Sequence, residues 1–350
     1  MILNYIFLHF VGPKVLIWSG SRPKDFCIEV IKFFNLGGKF SSTTTSLQIS
    51  NLPKNFKYGR PGEILRGSLK GRIIIGDRDK GLYEFEIHKE KLKMIRHIKD
   101  VIIESLWVRS CVIDDVLVVI SGSTAFPANR IVYQLLRYDE NGVMKSSFCS
   151  SPINEDSYWC PSITNIGDNK IMVVGGSGTQ TFSSGRVFEG KLNKDKSDID
   201  WQEMPSLKQP RCFHHAVKMG NRLYIFGGLK VENGGSKKIR DSYEWYDFKR
   251  KEWISNEYDF APGSLPTSIV VNDDETYAVL IKNYGDKDEN GAKNCKCKYI
   301  DFCVCDGMPI TMFTEENGFT YLTKSKTETR YSMMRQSLSK SKSCHLSVKI

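Results

Sequence analysis

Four cysteines that lie close together have the spacing most suggestive of a metal site. Two Cys-x-Cys pairs, Cys295-Lys-Cys297 and Cys303-Val-Cys305, fall within one short segment. On an extended strand all four odd-numbered positions would point to one face. Structural zinc sites usually place about two to four residues between paired cysteines, and a Cys-x-Cys pair on one strand reaches tetrahedral geometry poorly. Zinc, disulfides and buried thiols all stay open for this segment; we favour buried thiols and predict no metal and no cofactor.

A second candidate for chemistry is the pair His214-His215, because imidazoles can bind a metal or move a proton. Neighbouring residues of a strand point to opposite faces, so these two rings cannot easily share one ligand set. The sequence also contains no glycine-rich phosphate loop, no Gly-x-Ser-x-Gly elbow and no His-Glu-x-x-His motif. We therefore nominate no catalytic residue and predict that the protein is not an enzyme.

The elements that would position such residues are visible as a repeated apolar strand. The segments 170–176 and 222–228 are near twins, each a short apolar run that ends in two glycines. Weaker copies lie on either side, and the residues that follow the six runs are 57, 45, 54, 52 and 55 positions apart. A period near fifty predicts an array of supersecondary units. These six residues are Ser19, Gly76, Ser121, Gly175, Gly227 and Lys282.

Within a unit the later parts also recur. In units four and five a tryptophan follows the first glycine of the pair by 26 residues, and unit five adds an aromatic strand and a Pro-Arg-x-x-His segment. The order of apolar strand, diglycine, aromatic strand, tryptophan strand and Pro-Arg-x-x-His strand resembles the kelch repeat, one four-stranded blade of a β-propeller. The residues that carry the resemblance are Gly175, Gly176, Trp201, Arg211, Gly227, Gly228, Tyr246 and Trp253.

The predicted fold is all-β: a six-bladed kelch-type β-propeller with four-stranded antiparallel blades over residues 13–323. One amphipathic blade cannot bury both of its faces, whereas stacking around a ring covers them. The glycine pairs would let the backbone turn where a side chain would collide. The apolar strands are expected to be innermost, and the resemblance places His214 and His215 on an outer strand. Cys160 and Cys212 occupy matching places in consecutive repeats.

Both ends of the chain differ in composition from the repeats. Residues 1–12 form an apolar leader, either a signal peptide or the outer strand that closes the ring; we favour the signal peptide, and secretion over a cytoplasmic location. No Asn-x-Ser/Thr sequon occurs, which argues against a glycosylating pathway, whereas ten cysteines favour disulfides. Residues 324–350 are predicted to be a flexible, basic, Ser/Lys-rich tail.

The positive charge of the chain is concentrated near its C-terminal end. The formal net charge is +10, and the segment 319–350 contributes +6 of it through seven Lys and Arg residues against one Glu. No basic helix, RNA-binding signature or zinc-finger spacing accompanies this charge, so we predict no specific nucleic-acid partner. The leader is too short to cross a bilayer as a helix. We predict no membrane span and a monomer.

Propellers commonly bind through loops at one mouth of the central channel, where a rigid scaffold presents variable segments. Basic residues recur at the far ends of the long loops that follow the apolar strands. If they converge, they form a basic rim suited to an acidic peptide or a sulfated glycan; solvated loop charges are the alternative. The sequence thus predicts a non-catalytic module that binds another protein, with Arg130, Arg186, Lys237, Lys238 and Arg240 as hypothetical contacts.

Two other functions follow from the resemblance. Kelch propellers form the body of galactose oxidase-like copper enzymes, which need two Tyr and two His ligands and a Tyr-Cys crosslink. This chain has only six histidines, and no such set can be nominated. Kelch repeats also deliver substrates to ubiquitin ligases, in chains that carry an additional adaptor domain. Because a propeller would use nearly all 350 residues, we expect a stand-alone protein.

Overall fold

The computed structural model describes backbone and side chains over a central part of the chain. These residues are 69–70, 72–76, 81–86, 93–99, 101, 108–122, 131–153, 160–178, 183–231 and 242–255. Outside them it describes the backbone of the strands alone. No helix among the described residues is long and apolar enough to cross a membrane.

The described elements are strands. In chain order they are β1 (Phe7–Val11), β2 (Lys14–Ser19), β3 (Cys27–Leu36), β4 (Lys39–Ser50), β5 (Arg66–Leu69), β6 (Arg72–Asp77), β7 (Gly81–His88), β8 (Lys91–Ile98), β9 (Val108–Ile113), β10 (Val116–Gly122), β11 (Ile131–Tyr138), β12 (Met144–Phe148), β13 (Ser162–Gly167), β14 (Lys170–Val174), β15 (Val187–Leu192), β16 (Ile199–Met204), β17 (His215–Met219), β18 (Arg222–Phe226), β19 (Leu229–Val231), β20 (Lys237–Ile239), β21 (Tyr243–Asp247), β22 (Glu252–Ser255), β23 (Pro266–Val271), β24 (Tyr277–Lys287), β25 (Lys293–Cys305), β26 (Met308–Glu315), β27 (Gly318–Lys324), β28 (Tyr331–Gln336) and β29 (Cys344–His345).

Three separate four-stranded antiparallel sheets occupy the middle of the chain, and we number them after the sequence repeats. Blade three is β9–β12, blade four is β13–β16, and blade five is β17, β18, β21 and β22, each in simple up-and-down order. Strands β1–β4 and β5–β8 form two further meanders, joined where β4 and β8 pair in parallel, and β23–β28 form a six-stranded sheet. The all-β class and the four-stranded antiparallel blade are confirmed; the number of six blades stays a prediction.

The second strand of each blade is its most deeply buried element. All residues of β10 are buried, and so are the last four of β14 and of β18. The apolar clusters lie between blades: Val118 and Leu135 of blade three pack with Ile171 and Ile199 of blade four. Full burial of one such aliphatic side chain stabilises a fold by roughly 1.5–3 kcal/mol. The core of this protein is therefore made by stacking neighbouring sheets.

The first strand of each blade lies closest to the centre, which corrects the expectation that the apolar strands are innermost. Strand β13 contacts β9 on one side and β17 on the other. In a fan of sheets, the strands nearest the axis are the ones that approach each other. His214 and His215 lie at the start of β17 and hence at the inner edge, so their predicted outer position is wrong. The second strand is more apolar because neighbouring blades cover both of its faces, whereas β13 and β17 are only partly buried.

A bulge in β13 shifts the alignment of blades four and five by one residue. Gly167 faces Lys170 across the turn, but Asn165 faces Ile171, which leaves Ile166 as an extra residue. Upstream of the bulge, Cys160 therefore matches Phe213 and not Cys212. Both matched residues have a positive φ, 46° for Cys160 and 55° for Phe213. The predicted match of Cys160 with Cys212 is wrong because sequence spacing cannot reveal a bulge.

Two of the predicted long loops contain strands. The segment 229–240 holds β19 and β20, which pair as a small hairpin with Leu229 opposite Ile239. The segment 283–292 begins as the last part of β24, which pairs with β25 as far as Lys287 and Lys293. Segment 177–186 is held by a bridge between Ser177 and Ser183, and 123–130 lies outside the described residues. The boundaries of leader, propeller and tail stay predictions.

Candidate interaction site

The connection from blade four to blade five, residues 205–214, passes directly over both glycine pairs. Gly175 and Gly227 have φ of +60° and +64°, a region that side chains rarely adopt. A Cβ on Gly175 would lie 2.5 Å from the carbonyl oxygen of Arg211, and one on Gly228 would lie 2.7 Å from that of Cys212. Gly176 donates its N–H to the Arg211 carbonyl at 2.9 Å. Glycine at these positions lets the connection approach the ends of the second strands.

Arg211 is the buried centre of this connection. Its Nη1 donates to the carbonyl oxygens of Gly227 and Ser242, each at 2.9 Å, and its Nη2 lies 3.1 Å from Glu244 Oε1 as a fully buried ion pair. The other carboxylate oxygen of Glu244 accepts the backbone N–H of Lys208 at 3.1 Å. Burial raises the pKa of Glu244, and the guanidinium opposes this shift. Arg211 therefore fixes the connection to both central strands of blade five.

The two repeat tryptophans fasten each blade to the end of the preceding one. Trp253 Nε1 donates to the carbonyl oxygen of Pro205 at 2.7 Å, and Trp201 Nε1 donates to that of Ser150 at 2.9 Å. The ring of Tyr246 packs on Trp253 with centroids 5.2 Å apart. These contacts fix the outer strand of each blade to a residue just after the last strand of the preceding blade.

His214 joins blades four and five in the interior. Its Nε2 is 2.8 Å from Ser162 Oγ, at the start of β13, and the ring is almost completely buried. Burial, and then the positive charge of Arg211, hold its pKa well below the usual histidine value. Its Nδ1 has no hydrogen-bond partner among the described residues. A neutral buried ring of this kind positions two blades.

A short hydrogen-bond network fixes the base of the β19–β20 hairpin. Cys212 and Leu229 exchange both backbone hydrogen bonds, at 3.0 and 2.8 Å. Ser183 Oγ donates to the Leu229 carbonyl at 3.0 Å and accepts the N–H of Val231 at 2.8 Å. Segments from blade four, blade five and their connection thus meet at one point. We call the residues 183–186, 205–214 and 227–231 the loop face; sequence reasoning missed Ser183, because only the fold brings it to the hairpin.

The predicted basic contacts are only partly described. Arg186 lies on the loop face, where its Nε donates to Glu203 Oε1 at 2.9 Å and its guanidinium stacks 4.7 Å above the Phe188 ring. Lys237 and Lys238 lie in β20, opposite Val231 and Lys230. Arg130 and Arg240 lie outside the described residues, and the convergence of the five cations stays a prediction. The Glu203 partner follows from the pairing of β15 with β16, which the sequence does not specify.

The described cysteines form no disulfide. Cys111, Cys149, Cys160 and Cys212 are each unbridged, and burial raises the pKa of Cys149 and of Cys160 to about 12. Such thiols stay protonated at neutral pH and are poor nucleophiles. Within the described ranges, no three His, Cys, Asp or Glu side chains come together to hold a metal ion. The four clustered cysteines all fall in β25, and their side chains lie outside the described residues.

Comparison with known proteins agrees with this architecture. Residues 210–255 match the family model of the Kelch motif, which covers the second half of the connection and blade five. Kelch-like protein 40a of Danio rerio is 32% identical over 95 residues, which are 27% of this chain and 15% of that protein. An F-box/kelch-repeat protein of Arabidopsis thaliana is 36% identical over 53 residues, which are 15% of this chain and 13% of that protein. The chain therefore matches less than one sixth of the length of either relative.

The fold itself resembles the solved structure of YjhT. The two superpose with a TM-score of 0.61 over 89% of this chain and 97% of that one, at 11% sequence identity. Likeness at this identity concerns the fold alone. The four-stranded sheets, the Kelch motif at residues 210–255 and this superposition together support a kelch-repeat β-propeller fold.

Proposed function

We propose that this chain is a non-catalytic protein-binding module that recognises its partner through the loop face and the β19–β20 hairpin above it. The observation that carries the proposal is the hydrogen-bond network of Ser183, Cys212 and Leu229, which joins three chain segments at the base of the hairpin. A hairpin on a fixed base loses little conformational freedom when it binds, which favours affinity. The names of the kelch relatives are consistent with interaction modules.

The charge of the hairpin points to an acidic partner segment. Lys230, Lys237 and Lys238 lie on the two short paired strands, and Lys238 faces Lys230 across them. A partner carboxylate would be attracted to these lysines, and electrostatic attraction of this type also speeds association. We therefore assign the hairpin to recognition of an acidic peptide.

The experiment is a binding titration of the full chain with two fluorescent peptides, hexaglutamate and hexaserine, at low and at physiological salt. We expect the acidic peptide to bind, with an affinity that falls as salt rises. Reversing Lys237, Lys238 and Arg240 to glutamate should weaken binding at least about tenfold, since each lost contact adds to a new repulsion.

The matched control reverses Lys191, Lys194 and Lys251, three exposed lysines at turns on the opposite side of blades four and five. It makes a similar change in net charge and should leave peptide binding intact. Equal loss in both variants would mean that only the total charge matters, and the assigned site would be wrong. Binding of a sulfated oligosaccharide in place of the peptide would also contradict a protein-recognition role.

A further inference from the structure

A cavity of about 440 Å³ opens between blades four and five on the face opposite to the loop face. That face carries the turn between the first two strands of each blade and the turn between its last two strands. We call it the turn face. The cavity is lined by Ile166, Gly167, Asp168, Lys170, Glu189, Lys218, Gly220, Asn221 and Phe248.

The equivalent space between blades three and four is filled. Val116 and Leu135 of blade three and Leu192 of blade four are buried there in one apolar cluster. By strand register, Lys170 occupies the position of Val116, because each is the first residue after the turn between the first two strands. Glu189 occupies the position of Leu135, because both pair with the residue two positions further along the second strand. Lys170 and Glu189 pair at 2.8 Å. The interface that is apolar between blades three and four is thus lined by charged side chains between blades four and five.

A shorter turn leaves the space uncovered. Gly190 pairs with Trp201 across a turn, and Tyr246 pairs with Trp253 across the matching turn of blade five. Eleven positions separate the first pair and seven separate the second, so blade five lacks four residues at this place. The six-residue turn 193–198 of blade four covers the filled interface, held by Arg137, whose Nη1 donates to the carbonyl oxygens of Asp195 and Lys196 at 3.0 and 2.6 Å.

The longer turn also supplies a lysine to its neighbour. Lys196 Nζ lies 2.5 Å from Asp114 Oδ2 and also pairs with Asp115, both in the first turn of blade three. Asp168 occupies the position of Asp114 in blade four, since each is the first residue of the two-residue turn before the second strand. Among the described residues Asp168 forms no ion pair, and it borders the cavity.

We propose that this cavity binds a lysine side chain of a partner protein segment, whose ammonium meets Asp168 as the Lys196 ammonium meets Asp114. The apolar stem of the ligand lies along Phe248, as long cationic side chains do on apolar surfaces. Lys170 is neutralised by Glu189. Lys218, the other cation of the lining, restricts the ammonium to the Asp168 end. The site is separate from the loop face and does not depend on its partner.

The test uses the full chain and a peptide probe copied from the turn of blade four that carries Lys196. The probe is the capped peptide Asn-Lys-Asp-Lys-Ser-Asp, the sequence of residues 193–198, and its match has norleucine in place of the second lysine. Ligand-detected NMR titration gives both affinities. We expect the norleucine peptide to bind about fivefold more weakly, the size of a partly exposed ion pair.

Two protein variants locate the site. Asp168→Asn should weaken binding of the lysine peptide about fivefold, and its control, Glu140→Gln, changes an exposed acid in a turn of blade three and should have no effect. A second variant replaces Lys249 and Arg250 by the six residues of the probe, so that blade five covers its own cavity. This variant should no longer bind the peptide.

Three results would overturn the proposal. The first is equal binding of the lysine and norleucine peptides. The second is an unchanged affinity in Asp168→Asn or in the variant with the longer turn. The third is displacement of the peptide by inorganic phosphate together with tighter phosphate binding, which would assign the cavity to an anion held by Lys170 and Lys218.

Discussion

Trp253 donates its indole N–H to the carbonyl oxygen of Pro205 at 2.7 Å, so the outer strand of blade five is tied to the end of blade four. Trp201 repeats this relationship one blade earlier with Ser150. The repeated contact fixes the position of each blade relative to the preceding one, and in repeat proteins each unit is stabilised mainly by its neighbours.

Replacing Trp253 with phenylalanine keeps an aromatic ring but removes this hydrogen bond. We expect the free energy of unfolding to fall by about 0.5–1.5 kcal/mol, the net contribution of one hydrogen bond. Trp245→Phe is the matched control, because the buried Nε1 of Trp245 has no partner in the described part of the chain. Urea unfolding of both variants measures the difference; an equal loss would show that ring size alone determines the effect.

Breaking the buried pair of Arg211 and Glu244 should be strongly destabilising. Either single change, Glu244→Leu or Arg211→Met, leaves the partner charge buried and unpaired, and such changes cost about 3–5 kcal/mol. The double variant Arg211→Met with Glu244→Leu removes both charges and should be clearly less destabilised than the sum of the single changes. Calorimetric unfolding of the four proteins gives the coupling energy. Additive losses would contradict an energetic coupling between these two residues.

His214 should make stability depend on pH. Its pKa is lower in the folded state than the usual 6.5, so below that pH the unfolded chain takes up a proton that the folded chain does not. Stability is therefore fully present above about pH 6.5 and is lost as pH falls, by up to about 1.4 kcal/mol per pH unit. We expect His214→Gln to flatten the slope between pH 7 and 5, measured by urea titration. A slope that survives in His214→Gln would contradict this origin.

Alanine at Gly175 should destabilise the fold more than alanine at Gly142. Both glycines have positive φ, +60° and +69°, so both substitutions carry about 1–2 kcal/mol of backbone strain. Only at Gly175 would the new Cβ meet backbone, 2.5 Å from the Arg211 carbonyl, whereas nothing lies within 4 Å at Gly142. We expect an additional loss of about 1–3 kcal/mol at Gly175, read from thermal unfolding. Similar losses at both positions would show that the connection can move away.

The spacing of the apolar strands and the residues of the repeat could be predicted from sequence, while the contacts between blades could not. The apolar runs identified β14 and β18 because strands covered on both sides must be continuously apolar. The position of His214 at the inner edge was missed because sequence order does not specify which strand faces the channel. The partners of Arg211 and Ser183 come from different segments, and only the packed fold brings them together.

The candidate rim was predicted from charge alone, and the structure adds partners that charge cannot indicate. Arg186 is engaged by Phe188 of its own strand and by Glu203, which only the pairing of β15 and β16 brings beside it. The cavity on the turn face was not anticipated, because it arises from a difference in turn length combined with two substitutions on adjacent strands. Comparing the repeats position by position, with the bulge included, would have revealed it.

The bulge at Ile166 shows how such a ring can change over evolutionary time. The extra residue is absorbed within β13, and the following strand keeps its pairing with β15 from Lys170 to Val174. An inserted codon at the inner edge therefore leaves the neighbouring repeats in place. Repeats of this kind can therefore differ in length by one residue while their sheets keep the same pairing, so the fold does not require a strict sequence period.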